Sequence, residues 1–284
     1  MDRRMLNRRE MLIASAAGSL SSLSAASNLR GIPIRGGIPR VDYHAHVGDE
    51  ITVDRAIELS AQRGIKFGLL QHAGVKGHGY AVSDDEQLRA WIKSLEGKSV
   101  FVGIEGEGVD WPSAFTAAAL AKLDYAQSDP LGMPDRSGQV LRLWSPDFRY
   151  DNAQEFMDRY TDFHVQLIST LPIDILAVPT FLPVVFRPDY DRLWTPKRMR
   201  TIIDAAVKHR VAIEIDCRFR VPGFQFLEMA KEAKARFVFG SNFQTVEGIG
   251  DISYCIEAYQ WLRLTMKDLF LPAPPGKRPT QQKT

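Results

Sequence analysis

Arg40-Val-Asp-Tyr-His-Ala-His-Val-Gly-Asp49 (RVDYHAHVGD) is the stretch on which the fold turns. Side chains two apart on an extended strand share a face. Asp42, His44 and His46 are therefore expected on one side of a strand, with Val41 and Tyr43 on the other. The two imidazoles then stand about 6–7 Å apart along the strand, a separation that one cation can span. Two nearby histidines also occur at wet strand ends without any metal, so the meaning of the motif depends on the rest of the chain.

Working outward, strand-like and helix-like segments alternate from Arg40 to about Leu271. Strands are predicted at 40–44, 67–71, 100–105, 123–127, 173–178, 211–216 and 237–240. Helices are predicted at 52–63, 84–95, 153–170, 196–209, 223–235 and 249–263. Their start and stop signals include Thr52, Gly64, a capping box at Ser83 and Glu86, and Thr195-Pro196. Strand–helix alternation implies a parallel sheet. With no composition break in this span, the expected fold is a single α/β domain, a distorted (β/α)7 barrel of the TIM-barrel kind, with a doubly wound open sheet as the alternative.

In such a barrel, chemistry gathers where strands end. His72 closes the second predicted strand and Glu105 the third, Asp129 follows the fourth, Asp216 ends the sixth on the parity of Glu214, and Asn242 follows the seventh. A single Asp or Asn in such a place is usually a helix cap or turn former. Polar groups at most of the strand ends make a site. The other histidines have plainer readings: His78 as a solvated loop residue, His164 as helix packing, and His209 as a complement to a helix dipole.

The balance of 36 basic and 34 acidic residues, without a basic run interleaved with aromatics, argues against nucleic acid and for a small-molecule substrate. The 45% hydrophobic content of 284 residues is enough for a sizeable core. Cys217 and Cys255 are expected as buried thiols without a catalytic role. Residues 1–26 read as a twin-arginine export signal: Arg8-Arg9, an Ala/Ser-rich apolar run, then Ser24-Ala25-Ala26 as a cleavage site. That run is too short and too Ser-rich for a stable membrane anchor, so a periplasmic or secreted location is expected. Residues 27–39 are read as a linker and 272–284 as a disordered tail.

Six motifs in order, DYHAH (42–46), LLQH (69–72), GIEGE (103–107), LDYAQSD (123–129), DILAVPT (174–180) and FGSN (239–242), make the region 40–271 resemble the polymerase and histidinol phosphatase (PHP) superfamily. The resemblance implies a distorted seven-stranded barrel that holds up to three divalent cations, usually zinc, manganese or iron, and most often hydrolyses phosphoesters. It assigns one metal to His44, His46 and Glu105, makes Glu105 the bridge to a second, and gives His72 to a third. Departures thin this set. Ser128-Asp129-Pro130-Leu131 and Val178 stand where the family has histidines, and Asn242-Phe243-Gln244 replaces an Asp-x-His. Valine cannot ligate, and an amide oxygen is a poorer transition-metal ligand than a carboxylate or imidazole. One or two ions are expected, on His44, His46, His72, Glu105 and Asn242.

The implied function is an exported metal-dependent hydrolase of phosphoester type. Glu105, Asp129 and Asp216 are its candidate catalytic groups, and Arg218, Arg220 or Arg142 its anion receiver. The alternative is a binding protein or scaffold that keeps the fold but has lost catalysis. An eight-stranded amidohydrolase also opens with His-x-His but requires histidines after its fifth and sixth strands, where this chain has Val178 and Asp216-Cys217.

Overall fold

In the computed structural model, which describes residues 30–274 and 276–280, the barrel strands are β1 (Val41–His46), β2 (Lys66–Ala73), β3 (Phe101–Gly106), β4 (Tyr125–Ser128), β5 (Ile175–Leu176), β6 (Ala212–Asp216) and β7 (Phe237–Gly240). They form one parallel seven-stranded sheet in the order β7-β6-β5-β4-β3-β2-β1. Each crossover therefore moves over by a single strand, and the sheet curls into a nearly closed barrel ringed by helices. Buried residues such as Phe67, Leu69, Leu70 and Ile104 leave both faces of the sheet unexposed, as parallel strands require. The α/β barrel expected from the sequence is the fold observed.

The ring closes through side chains. No backbone ladder joins β1 to β7. The Asp42 carboxylate spans the gap, accepting from the Ser241 amide at 2.9 Å, the Ser241 hydroxyl at 2.6 Å and the Gly250 amide at 3.1 Å. The Asn242 amide adds a bond to the His44 carbonyl at 3.0 Å. Strict alternation along β1 fails here. Its register against β2 slips between Asp42 and Ala45. Asp42 is thereby turned to the seam, and Tyr43 packs inside, stacked on Phe101 at 5.5 Å and edge-on to Tyr125 at 5.4 Å. Tyr125 fills the barrel because Gly68 and Gly103 leave room: a Cβ on Gly103 would lie 2.3 Å from its ring.

Among the described residues six helices of nine residues or more surround the strands: α1 (Val53–Arg63), α2 (Asp85–Ser94), α3 (Ala153–Thr170), α4 (Pro196–His209), α5 (Phe224–Glu232) and α6 (Ser253–Trp261). The Thr52 and Thr195 hydroxyls cap α1 and α4 as expected. The capping pair of α2 sits one residue later than read: Asp84 accepts from the Gln87 amide, and Gln87 Oε1 accepts from the Ser83 amide.

Both flanks of the barrel need correction. The described part of the segment read as a linker, from Arg30, forms a two-stranded ribbon (Ile34–Arg35 with Ile38–Pro39). It buries Ile32 and Ile38, because the barrel's apolar lower end must be covered. Within the described part of the segment read as a disordered tail, Arg278 is docked: it is buried, its Nε 2.6 Å from Asp174 Oδ2, with a further bond to the Pro172 carbonyl. A single buried ion pair anchors a stretch that has no apolar period. The expected export signal lies outside the described residues, and among those residues no helix is long and apolar enough to cross a membrane.

Candidate metal centre

β1, β3 and β6 deliver the centre. His44 Nε2 and His46 Nε2 lie 3.0 Å apart. Glu105 puts Oε1 3.3 Å from the former and Oε2 3.5 Å from the latter. A cation bonded at about 2.0–2.1 Å to three such atoms, at angles between octahedral and tetrahedral, keeps them about 2.9–3.4 Å apart. The two imidazole nitrogens fall in that range, with one Glu105 oxygen 3.3 Å from the first and the other 3.5 Å from the second, and two imidazoles with one carboxylate are donors that suit a divalent transition metal.

Glu214 prepares His44 for this task. Its Oε1 is 2.7 Å from His44 Nδ1, and its Oε2 accepts from the Val178 amide at 2.6 Å. With Nδ1 held by Glu214, His44 turns its Nε2 toward the centre. Gly240 makes room for the contact, since a Cβ there would stand 1.7 Å from Glu214 Oε1 and 2.9 Å from His44 Cβ. Val178 serves through its backbone, with φ of +45°. A β-branched residue rarely adopts that conformation.

The centre continues outward. His72 Nδ1 is 3.5 Å from Glu105 Oε2 and 2.6 Å from Glu107 Oε1, so Glu105 lies between two ligand-type clusters. His44, Glu214 and Asp216 form a third such cluster. Glu107 and Glu214 were assigned no role from sequence. Their signal was available, because each lies two residues from an acidic residue singled out at a strand end.

Electrostatics follow from burial against charge. Burial opposes a charged His44, but Glu214 and Glu105 outweigh it and hold the ring well above the ordinary histidine range. Burial drives His46 down to about 3, against the pull of Glu105, which leaves a neutral donor. Burial would raise Glu105, yet the surrounding imidazoles, His44 foremost, keep its carboxyl below the usual range. Burial, then the adjacent Glu105 and Glu107, push Asp129 well above the usual carboxylate range.

His46, His72, Glu105, Glu107, Asp129 and Asn242 all line a pocket of about 310 Å³, together with Arg218, Trp144 and Gln244. Asp216 is fully buried and outside that lining. Its oxygens accept from the Phe219 amide at 2.7 Å and from Asn242 Nδ2 at 2.8 Å. Burial and Glu214 raise its pKa to about 8. Asn242, with φ of +55°, thus ties β7 to β6 through its side chain and to β1 through its backbone. Of the candidate anion receivers, Arg218 lines the pocket, Arg220 pairs with Glu257 at 2.8 Å, and Arg142 is on the ribbon Gly132–Pro134/Val140–Arg142. His164 packs inside α3 with Nδ1 2.7 Å from the Tyr160 carbonyl.

No family model matches the chain, and no curated protein does. Among solved structures it is similar to a β-mannanase from Streptomyces thermolilacinus (14% identity, 83% of each chain, TM-score 0.35). The same enzyme with mannohexaose gives 13% identity over 83% of this chain and 82% of that one, at a TM-score of 0.37. A chain of archaeal ribonuclease P with mature tRNA gives 14% identity over 81% of this chain and 94% of that one, at a TM-score of 0.35. Likeness at this level bears on neither family nor activity.

Proposed function

We propose that this chain is a divergent relative of the PHP superfamily, an exported metal-dependent hydrolase that acts on a small phosphoester. The convergence of His44 Nε2, His46 Nε2 and Glu105 within 3.0–3.5 Å carries the reading. A divalent zinc, manganese or iron ion held there supplies Lewis acidity and lowers the pKa of a bound water toward about 7. His72 and Glu107 are placed to share a second ion with Glu105.

The chain's own groups supply the rest. Asp129, half-buried at the pocket wall and raised by burial and by Glu105 and Glu107, would donate a proton to the departing alcohol. Arg218 donates to the Asn242 carbonyl at 3.3 Å, which positions its guanidinium beside the pocket to receive an anionic ester. Asp216 fixes Asn242 and takes a positioning role. The Arg8-Arg9 motif supports export.

The test is metal content by mass spectrometry and hydrolysis of 4-nitrophenyl phosphate, for wild type and for His44→Ala/His46→Ala. A loss of bound metal with at least about a 100-fold fall in rate is expected. Equal stoichiometry in both proteins would sink the site. A second reading, a binding protein with one structural ion, is favoured by the Asp216–Asn242 bond, which engages a candidate catalytic carboxylate and a candidate metal ligand with each other. Tight metal binding without turnover of any ester would select it.

A further inference from the structure

A second pocket, of about 340 Å³, adjoins the metal pocket, and Arg218 and Phe219 line both. Its floor is aromatic and fixed. Phe181 is buried and meets Phe219 edge-on at 4.8 Å, while the Tyr190 hydroxyl is held by Thr180 at 2.6 Å and by the Gly223 amide at 3.2 Å. Two cations lie over this floor. The Arg187 guanidinium is 5.2 Å from the Phe181 ring centre, and that of Arg218 is 5.2 Å from Phe219.

Neither arginine is neutralised. Among the described residues Arg187 and Arg218 have no carboxylate within ion-pair distance, whereas Arg220 in the same wall is matched by Glu257. Each spends one donor on a backbone carbonyl, Arg187 Nε on Leu182 at 3.1 Å and Arg218 Nη1 on Asn242 at 3.3 Å. Stacking on a ring uses the face of a guanidinium and leaves its in-plane N–H groups to meet an oxyanion.

We infer that this pocket is a substrate subsite for a planar apolar group that carries an oxyanion, carboxylate or phosphate. The substrate is then a bifunctional anion, with one end at the metals and the other beside Arg187, and Arg218, which lines both pockets, stands between them. This rests on the hydrolase reading for the end that reacts, but the subsite is defined by binding alone.

The test compares dissociation constants for phenyl phosphate, 4-carboxyphenyl phosphate, 4-phosphonophenyl phosphate and their biphenyl-lengthened counterparts, titrated against the manganese-loaded full chain. At least one doubly anionic probe should bind about tenfold tighter than its singly charged parent. Arg187→Gln should erase that ratio, and Arg136→Gln, which removes an exposed arginine elsewhere, should preserve it. The carboxylate and phosphonate arms report which oxyanion is taken. A ratio near one for every pair, no binding at all, or a ratio indifferent to Arg187→Gln overturns the subsite. Retained ratios without turnover of any probe would instead refute the hydrolase reading and leave the subsite standing.

Discussion

Glu214 Oε1 meets His44 Nδ1 at 2.7 Å across the barrel interior, so a carboxylate on the sixth strand orients the ring of a candidate ligand on the first. Such partners are worth about 10–100-fold in metal affinity. Glu214→Ala is expected to cost that much in a competition titration with a chromophoric chelator. Glu214→Gln, whose carbonyl still accepts from Nδ1, should fall between it and wild type.

Gly240→Ala reaches the same contact by steric means. The added methyl would sit 1.7 Å from Glu214 Oε1, so Glu214 must leave His44. Metal affinity should fall as in Glu214→Ala, with a lower Tm. Adding Glu214→Ala to Gly240→Ala should recover part of the Tm and none of the affinity.

Asp42→Ala removes an acceptor shared by the amides of His44, Ser241 and Gly250 and by the Ser241 hydroxyl. Buried donors left unpaired cost about 1–3 kcal/mol each, less what water recovers. A loss of about 3 kcal/mol is expected from urea unfolding of the metal-free protein. A loss below about 1 kcal/mol would show that the seam does not depend on this carboxylate.

His164 gives stability a pH dependence of known sign. Burial lowers its pKa from the ordinary 6.5 to about 4. Between those values the unfolded chain binds more protons, so the stabilisation is present above pH 6.5 and is lost as pH falls through 4. At about 1.4 kcal/mol per unit the difference approaches about 3 kcal/mol. Unfolding free energies of wild type and His164→Phe, measured across that range, should diverge by this amount.

Truncation after Leu271 should destabilise the barrel, because it strips Arg278 from Asp174. Breaking a buried pair from one side costs about 3–5 kcal/mol. Arg278→Ala should reproduce most of the loss, and an unchanged Tm in both variants would refute docking of the tail.

The seven strands were legible because parallel strands buried on both faces read as short apolar runs between turn signals. His44, His46, His72 and Glu105 were legible because a period of two carries a ligand pair to one rim. The slip between Asp42 and Ala45 was not, since one extra residue in a strand leaves no trace in composition, and it removed Asp42 from the centre. Glu214 was visible on the parity of Asp216, but its bond to His44 joins positions 170 residues apart. The grip of Arg278 on Asp174, 104 residues away, has no local signature either.

The gap between β1 and β7 also gives the barrel a clasp. A ring joined all round by backbone ladders opens only by breaking many amide bonds together, whereas this one parts where Asp42 meets Ser241 and Gly250 and where Asn242 meets His44. His44 is bonded across that gap through its carbonyl and to Glu214 through its ring, so an ion on His44 latches the same gap from within. Amide hydrogen exchange at Ser241, Asn242 and His44 should therefore speed up together when the ion is chelated, while the β3–β4 amides stay protected.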